Sequence, residues 1–411
     1  MISVIVYGRN DAHGYNMHKR VSLSLNCIAE VLTHPEDEII FVDCNTPDEL
    51  PTFPESIHDI LTPRARRLLR IFRLRPALYE KHKRDSQLKV LEPLARNVGI
   101  RRANPANRWM LSTNTDMVFV VREAGRSLSE VVDEIPDGFY ELPRFEMPEA
   151  LWETVDRLRP REVISAFAYW GRRFHLNEVI YGQPYNLFDG PGDFQLFLRD
   201  QIFQIHGFHE EMVAGWHVDS NLAKRLNLLN GETRSLLEQV FAYHCDHTRQ
   251  PTMMHGEKRK TGNDPIRFVD RVSSPYLPDQ AETWGLPDEA IEEISIENGY
   301  NRGFVTVLEE ILPGMEEPYL EDALSPQAYN AGLLYDNRHA LPYLADHFVT
   351  QPAGLNVGYV GANEEMVRLL AEFRCSSGHG GRIYVDREML SGKDAGRADA
   401  LPKSCLVADL P

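Results

Sequence analysis

An apolar run at residues 2–7, a helical pattern at 21–32 and a second apolar run at 38–43 follow one another with little between them. Val21, Leu25, Ile28, Ala29 and Leu32 fall on one side of the middle segment, as a packed helix requires. Strand, helix and strand at such short range predict a parallel pair joined by a right-handed crossover. The chain is therefore read as α/β, with a ligand crevice outside the carboxyl ends of its strands. Gly8 and Gly14 do not give the G-x-G-x-x-G spacing, so the opening turn is no dinucleotide fingerprint.

The chain has 411 residues, room for two or three domains with proper cores. A formal net charge of −17 argues against nucleic acid as a partner. Five cysteines, at 27, 44, 245, 375 and 405, form neither a metal-ligand pair nor a disulfide framework, which fits a reducing cytoplasm. The first residues lack the basic start and cleavage site of a signal peptide, and no apolar run is long enough to span a bilayer. The expectation is a cytoplasmic protein, at most peripheral at the inner face of a membrane. Residues 64–89 are the basis for that qualification. There Arg64, Arg66, Arg67, Arg70, Arg73, Arg75, Lys81, Lys83, Arg84 and Lys89 interleave with apolar residues. Such a segment rests on anionic lipid headgroups, or is a solvated face balanced by acids elsewhere.

Residues 111–120 flank the polar step Ser112-Thr113-Asn114-Thr115-Asp116 with apolar runs, the pattern of a buried strand that stops and resumes. At the end of a parallel strand, Asn114 and Asp116 would aim oxygens into the crevice, where such donors suit Mg²⁺ or Mn²⁺. A surface turn is the alternative. Asp43, which ends the second strand, is placed to accept from a base or a ribose. Arg96 and Asn97 lie on a helix at 94–103, and a Gly- and Pro-rich loop at 181–192 reads as an acceptor lid. Asp219 sits near the start of a helix, as an ordinary cap also would. His244 and His247 bracket Asp246 at the end of a strand.

Taken in order, these motifs resemble the nucleotide-sugar glycosyltransferases of the GT-A fold, in particular inverting bacterial enzymes of the family 2 type. The resemblance runs from residue 1 to about 264. Val42-Asp43-Cys44-Asn45-Thr46-Pro47-Asp48 resembles the family's Val-Asp-Asp-Gly-Ser-x-Asp turn, and Ala95-Arg96-Asn97-x-Gly99 its donor-bordering helix. Asn114-Thr115-Asp116 falls where a metal-binding D-x-D belongs. Gly207-Phe208-His209-Glu210 resembles Gly-Phe-Asp-Glu, and Tyr243-His244-x-Asp246-His247 a terminal Tyr-His-x-x-His. Two departures stand out: Asn114 replaces an acid, and Val218 replaces the Glu that usually precedes the catalytic acid.

The resemblance implies a Rossmann-like sheet with helices on both faces and a metal-dependent hexosyl transfer in polysaccharide biosynthesis. The donor would be UDP- or GDP-linked, and the acceptor a glycan or a lipid-linked glycan. Asp219 would be the base. Tyr7, Arg9, Asp11, Asp43, Arg96, Asn97 and Asn114 would hold the nucleotide. Asp116, Asn114, His244 and His247 would hold Mn²⁺ or Mg²⁺, and Asp193 and Trp216 would meet the acceptor. For the histidine pair, a structural hydrogen-bonding cluster is the other reading.

Beyond residue 265 the resemblance fades. Acidic residues 288–297 read as surface helix, inside a helical and Pro-containing connector at 266–340. Residues 341–411 read as a partial Rossmann-like unit, either an incomplete nucleotide-binding module or a dimerisation element. Two other functions follow from these departures. One is a sugar-nucleotide-binding or scaffold protein with a degenerate metal site. The other is an NAD- or methyl-donor-dependent enzyme acting through the C-terminal unit.

Overall fold

The computed structural model describes residues 1–10, 17–247 and 262–296, together with three strands further on. The chain divides into two units, Met1–Tyr300 and Asn301–Pro411. In the first, β1 (Ile2–Gly8), α1 (Met17–Val31) and β2 (Glu38–Cys44) build the crossover that the sequence predicts, with β1 and β2 parallel. A single helical turn, α2 (Phe53–Ser56), follows β2. The basic segment is divided among α3 (Pro63–Leu68), β3 (Leu69–Leu74) and α4 (Pro76–His82). Pro76 starts a new helix, and Leu69, Ile71 and Phe72 pair with β2. Its charges are matched at short range, Arg70 with Glu38 and Glu293, Arg75 with Asp48 and Glu292.

Next come α5 (Glu92–Arg102), β4 (Trp109–Ser112), β5 (Met117–Val121) and α6 (Leu128–Glu134), the last closed by a Ser127–Glu130 capping box. β6 (Tyr140–Glu141), β7 (Arg144–Met147), α7 (Glu149–Trp152) and α8 (Pro160–Arg173) lead to the loop at 181–189. β8 (Gln195–Leu198), α9 (Arg199–Gln204), α10 (Val218–Asn230), β9 (Arg234–Ser235) and β10 (Val240–Cys245) complete the run before residue 248.

The main sheet has the order β3-β2-β1-β4-β8-β6-β9, edged beside β3 by a further strand, β11 (Glu292–Ile294). Its centre, from β3 to β4, is parallel, while β8 and β11 run antiparallel to their neighbours β4 and β3. Ile5, Ile40, Val42, Phe72 and Leu74 share one core with α5. Val4, Val6, Ile39, Phe41 and Ile71 alternate to the other face and are equally buried, so this part of the sheet is covered on both sides. Gly99 lets α5 lie close: a Cβ there would meet Ile5 Cγ2 at 2.9 Å. A second sheet, β5-β10-β7, packs with α1 and α8 around Val118, Phe145, Phe167 and Tyr243.

Where the acidic composition of 288–297 predicts a surface helix, the described residues hold the strand β11. The reason is charge: Glu292 and Glu293 meet Arg75 and Arg70 of β3 and its flank. Trp284 and Leu286 are buried in the core of the first unit, so this part of the expected connector packs there. In the second unit β12 (Val357–Tyr359), β13 (Ile383–Asp386) and β14 (Cys405–Ala408) form a parallel sheet in that order. The glycine turn and helix expected between them lie outside the described residues. No helix among the described residues is long and apolar enough to cross a membrane.

Candidate active site

The parallel strands β1, β2 and β4 end at one side of the sheet, and the polar residues that follow them meet there. Asp43 is paired in register with Gly8, so it sits beside the end of β1. Its Oδ1 accepts from the Phe53 N–H at 2.8 Å. Its Oδ2 is buried and has no hydrogen-bond partner, an acceptor still to be satisfied. Burial pushes the carboxyl up to about 6, against the pull of the Phe53 N–H, the Thr46 hydroxyl and Arg73.

Arg96 is the hub of the crevice. It is buried on α5, which holds it beneath the end of β4. Its Nε donates to Glu92 at 2.9 Å, Nη1 to the Ser112 hydroxyl at 2.5 Å and the Thr113 carbonyl at 3.0 Å, and Nη2 to Asn114 Oδ1 at 2.9 Å. The guanidinium also lies 4.8 Å from the Tyr7 ring centre. Burial, with Glu92 close by, holds the Tyr7 hydroxyl protonated well above its ordinary range. Asn97 is turned elsewhere: its amide donates to Phe208 O and Glu210 Oε1 and ties α5 to the 207–210 turn.

Asn114 Nδ2 donates to Asp193 Oδ1 at 2.6 Å, so both ends of its amide are engaged within the protein. Two residues on, Asp116 forms a ligand cluster with His244 and His247. That cluster forms because β10 pairs antiparallel with β5, setting His244 opposite Met117. Asp116 Oδ2 lies 3.3 Å from His244 Nε2 and 3.5 Å from His247 Nε2. Donor atoms of the three lie within 4.8 Å of one another, so a small inward movement of the side chains would set them round an ion with bonds of about 2.0–2.2 Å. His244 Nδ1 rests 2.6 Å from Glu146 Oε2, the outer carboxylate that commonly orients a metal-ligating imidazole. A set with two imidazole nitrogens suits a first-row transition ion better than Mg²⁺, which takes oxygen ligands. These residues fit a divalent metal.

Electrostatics tie the cluster together. Burial alone would raise Asp116, but His244, His247 and Arg20 hold its carboxyl well below the usual range. Burial alone would lower His244, yet Asp116 and Glu146 raise it to about 10. Arg20 of α1 also touches the cluster, with Nη1 2.6 Å from Asp116 Oδ2.

Asp219 stands in the first turn of α10, whose N-terminal cap is His217. Its Oδ2 accepts from the Gly192 N–H at 3.1 Å, and Asp193 is the next residue. Thus the Gly192–Asp193 backbone links Asp219 to the hydrogen-bonded series Asp193, Asn114 and Arg96. Asp193 itself is buried, with its carboxyl raised by burial against the pull of Arg144 and His244. Trp216, at φ +55°, lies just before α10, and its carbonyl accepts from Asn263. Arg9 follows β1 at the edge of the crevice, and Asp11 lies outside the described residues.

Glu141, Glu146, Arg144 and Arg20 belong to the site without having shown in any motif. Glu141 on β6 is opposite Gln195, and its Oε2 accepts from the Leu187 N–H at 2.9 Å, anchoring the 181–189 loop. Its Oε1 is buried without a partner, and burial pushes the carboxyl to about 8. A buried acid within a strand pattern was the available signal.

No family model matches the chain, and no curated protein matches it. Solved structures do. S. aureus TarS 1–349 in complex with UDP aligns at a TM-score of 0.36 with 14% identity, over 60% of this chain and 60% of that one. The galactosyltransferase LgtC, in complex with donor and acceptor sugar analogues, aligns at 0.29 with 10% identity over 57% and 72%. Mouse xyloside xylosyltransferase 1, in its apo form, aligns at 0.27 with 12% identity over 50% and 69%. This chain thus spans 60% of the length of the TarS chain that it is similar to.

Proposed function

We propose that the first unit is a metal-dependent, inverting glycosyltransferase acting on a nucleoside-diphosphate sugar. The observation that carries this reading is the Asp116–His244–His247 cluster after β4, on the same turn as Asn114, which binds Asp193, whose neighbour Gly192 donates to Asp219. Asp43, with its unsatisfied Oδ2, binds the base or ribose, and Arg9 and Tyr7 border the same end of the sheet. Arg96 fixes the β4 turn on which Asn114 and Asp116 stand. Asp116, His244 and His247 would hold the ion, with Mn²⁺ preferred. When bound, such an ion neutralises the charge that grows on a departing diphosphate.

Asp219 takes the proton of the acceptor hydroxyl as that oxygen forms its bond to the anomeric carbon. The bond from that carbon to the diphosphate oxygen breaks on the opposite side, and the nucleoside diphosphate leaves with the electron pair. The loop at 181–189, anchored by Glu141, borders the acceptor side, and the acceptor is a glycan or a lipid-linked glycan. The reaction is tested by incubating the protein with Mn²⁺ and a panel of UDP- and GDP-sugars, then measuring nucleoside diphosphate release. Turnover of one donor above the others supports the reading. No release from any donor counts against it.

A second reading has an observation of its own. Arg20 donates to the same Asp116 oxygen that the ion would use, so its guanidinium supplies a positive charge there. On that reading the unit binds sugar nucleotides without a metal and does not transfer.

A further inference from the structure

A cavity of about 210 Å³ is lined by His209, Asn221, Arg225, Arg267, Phe268 and Ser273, residues of α10 and the segments packed on it. Arg225 is fully buried. Its Nε donates to Pro275 O at 2.9 Å, Nη1 to Gly207 O at 2.6 Å and Nη2 to Ile205 O. Those are backbone carbonyls, and no carboxylate pairs with it among the described residues. The other deeply buried arginines of the crevice are paired, Arg96 with Glu92 and Arg20 with Asp116. A buried cation without a counter-charge is costly, and burial alone draws Arg225 down to about 9. Three of its five N–H groups are used by the carbonyls, which leaves two.

The rest of the lining is complementary to an oxyanion. Arg267 brings a second guanidinium to the lining; its Nη2 is paired with Glu211 Oε2 at 2.7 Å, and its remaining N–H groups stay available to a ligand. Ser273 adds an exposed hydroxyl. His209 is kept neutral, pushed down to about 4 by burial and by Arg225, so it supplies no competing charge. Asn221 Nδ2 is spent on Phe268 O at 2.6 Å, but its Oδ1 is buried without a partner and needs a donor. A carboxylate ligand offers no such donor. A singly protonated phosphate does, while its other oxygens accept from guanidinium and hydroxyl.

We propose that this cavity is an anion site, separate from the donor crevice, that takes a phosphate group, either free or as the monoester of a small molecule. Arg225 is its buried counter-charge, Arg267 and Ser273 close on it from the exposed side, and Asn221 Oδ1 accepts a hydrogen bond from its P–OH. The inference stands whether or not the first unit transfers sugar.

The test is calorimetric titration of the full chain with inorganic phosphate and with glycerol 3-phosphate, against chloride at matched ionic strength. Saturable binding of at least one probe is expected, tighter for the monoester if the natural ligand carries a phosphoryl group. His209→Asp, which sets a carboxylate beside Arg225, and Ser273→Glu, on an exposed position, should each weaken it at least about tenfold. UDP affinity should not change in either variant. Ser273→Glu decides the matter if His209→Asp does not fold. Absence of saturable binding to both probes, or binding kept in the folded variants, overturns the proposal.

Discussion

Asn114 and Asp193 are locked together, Nδ2 to Oδ1 at 2.6 Å, while Arg96 donates to the other end of the same amide. An amide satisfies both neighbours at once. A carboxylate at 114 would keep the Arg96 contact but face the buried Asp193 oxygen with no proton between them. Asn114→Asp should therefore destabilise the metal-free protein by about 1–3 kcal/mol, the usual penalty for a buried polar group left unmatched. Urea denaturation measures it, and an unchanged midpoint would show that the amide is not needed.

Asp43 is the base-binding candidate, and burial raises its carboxyl to about 6. Ionisation of a buried acid with a raised value works against the fold. Its unfavourable contribution is absent below about pH 4, grows through pH 6 and is complete above it. Nucleotide binding through Oδ2 needs the ionised form, so affinity should rise as pH passes upward through about 6. The Asp43→Asn variant should bind more weakly, with no such rise. Fluorescence titration with UDP between pH 5 and 8 checks both, and a wild-type affinity independent of pH would remove Asp43 from the site.

Much of this arrangement was legible before any fold was known. β1, α1, β2, α5 and the interrupted β4–β5 stretch announce themselves because burial on a fixed face imposes a period on their apolar residues. Asp43, Asp116 and Asp219 could be picked out because strand ends and helix starts mark where side chains enter a crevice. Local pattern could not show that β10 pairs with β5 and so carries His244 and His247 to Asp116. Strand pairing across such a distance leaves no trace in spacing. Arg20, one position in a buried helical stripe, gave no signal. The acidic composition of 288–297 predicts helix, whereas the partners that decide the state of β11 are the arginines of and beside β3.

Glu141 carries a raised carboxyl, at about 8, with Oε1 unsatisfied. The same sign applies: its ionisation opposes folding, from the ordinary Glu range near pH 4–5 up to about pH 8. Wild-type stability should decline across that window. Glu141→Gln keeps an oxygen for the Leu187 N–H and removes the charge, so its decline should be shallower. Thermal unfolding at pH 5 and pH 8 compares them, and parallel curves would contradict the assignment.

Asp219 is proposed to take the acceptor's proton. Asp219→Asn keeps an oxygen able to accept from the Gly192 N–H. Donor affinity should persist while transfer falls about 10²–10⁴-fold. Single-turnover assays beside nucleotide titration separate the two, and unchanged transfer would end the role of Asp219 as base.

The most direct measurement of the whole account is calorimetric titration of UDP and GDP with and without Mn²⁺, on the wild type and on Asp116→Ala. The account predicts nucleotide binding that strengthens with Mn²⁺, releases protons to solvent as His244 is deprotonated to ligate the ion, and loses its metal dependence in the variant. Nucleotide binding that is absent, or identical with and without the ion in both proteins, would contradict it.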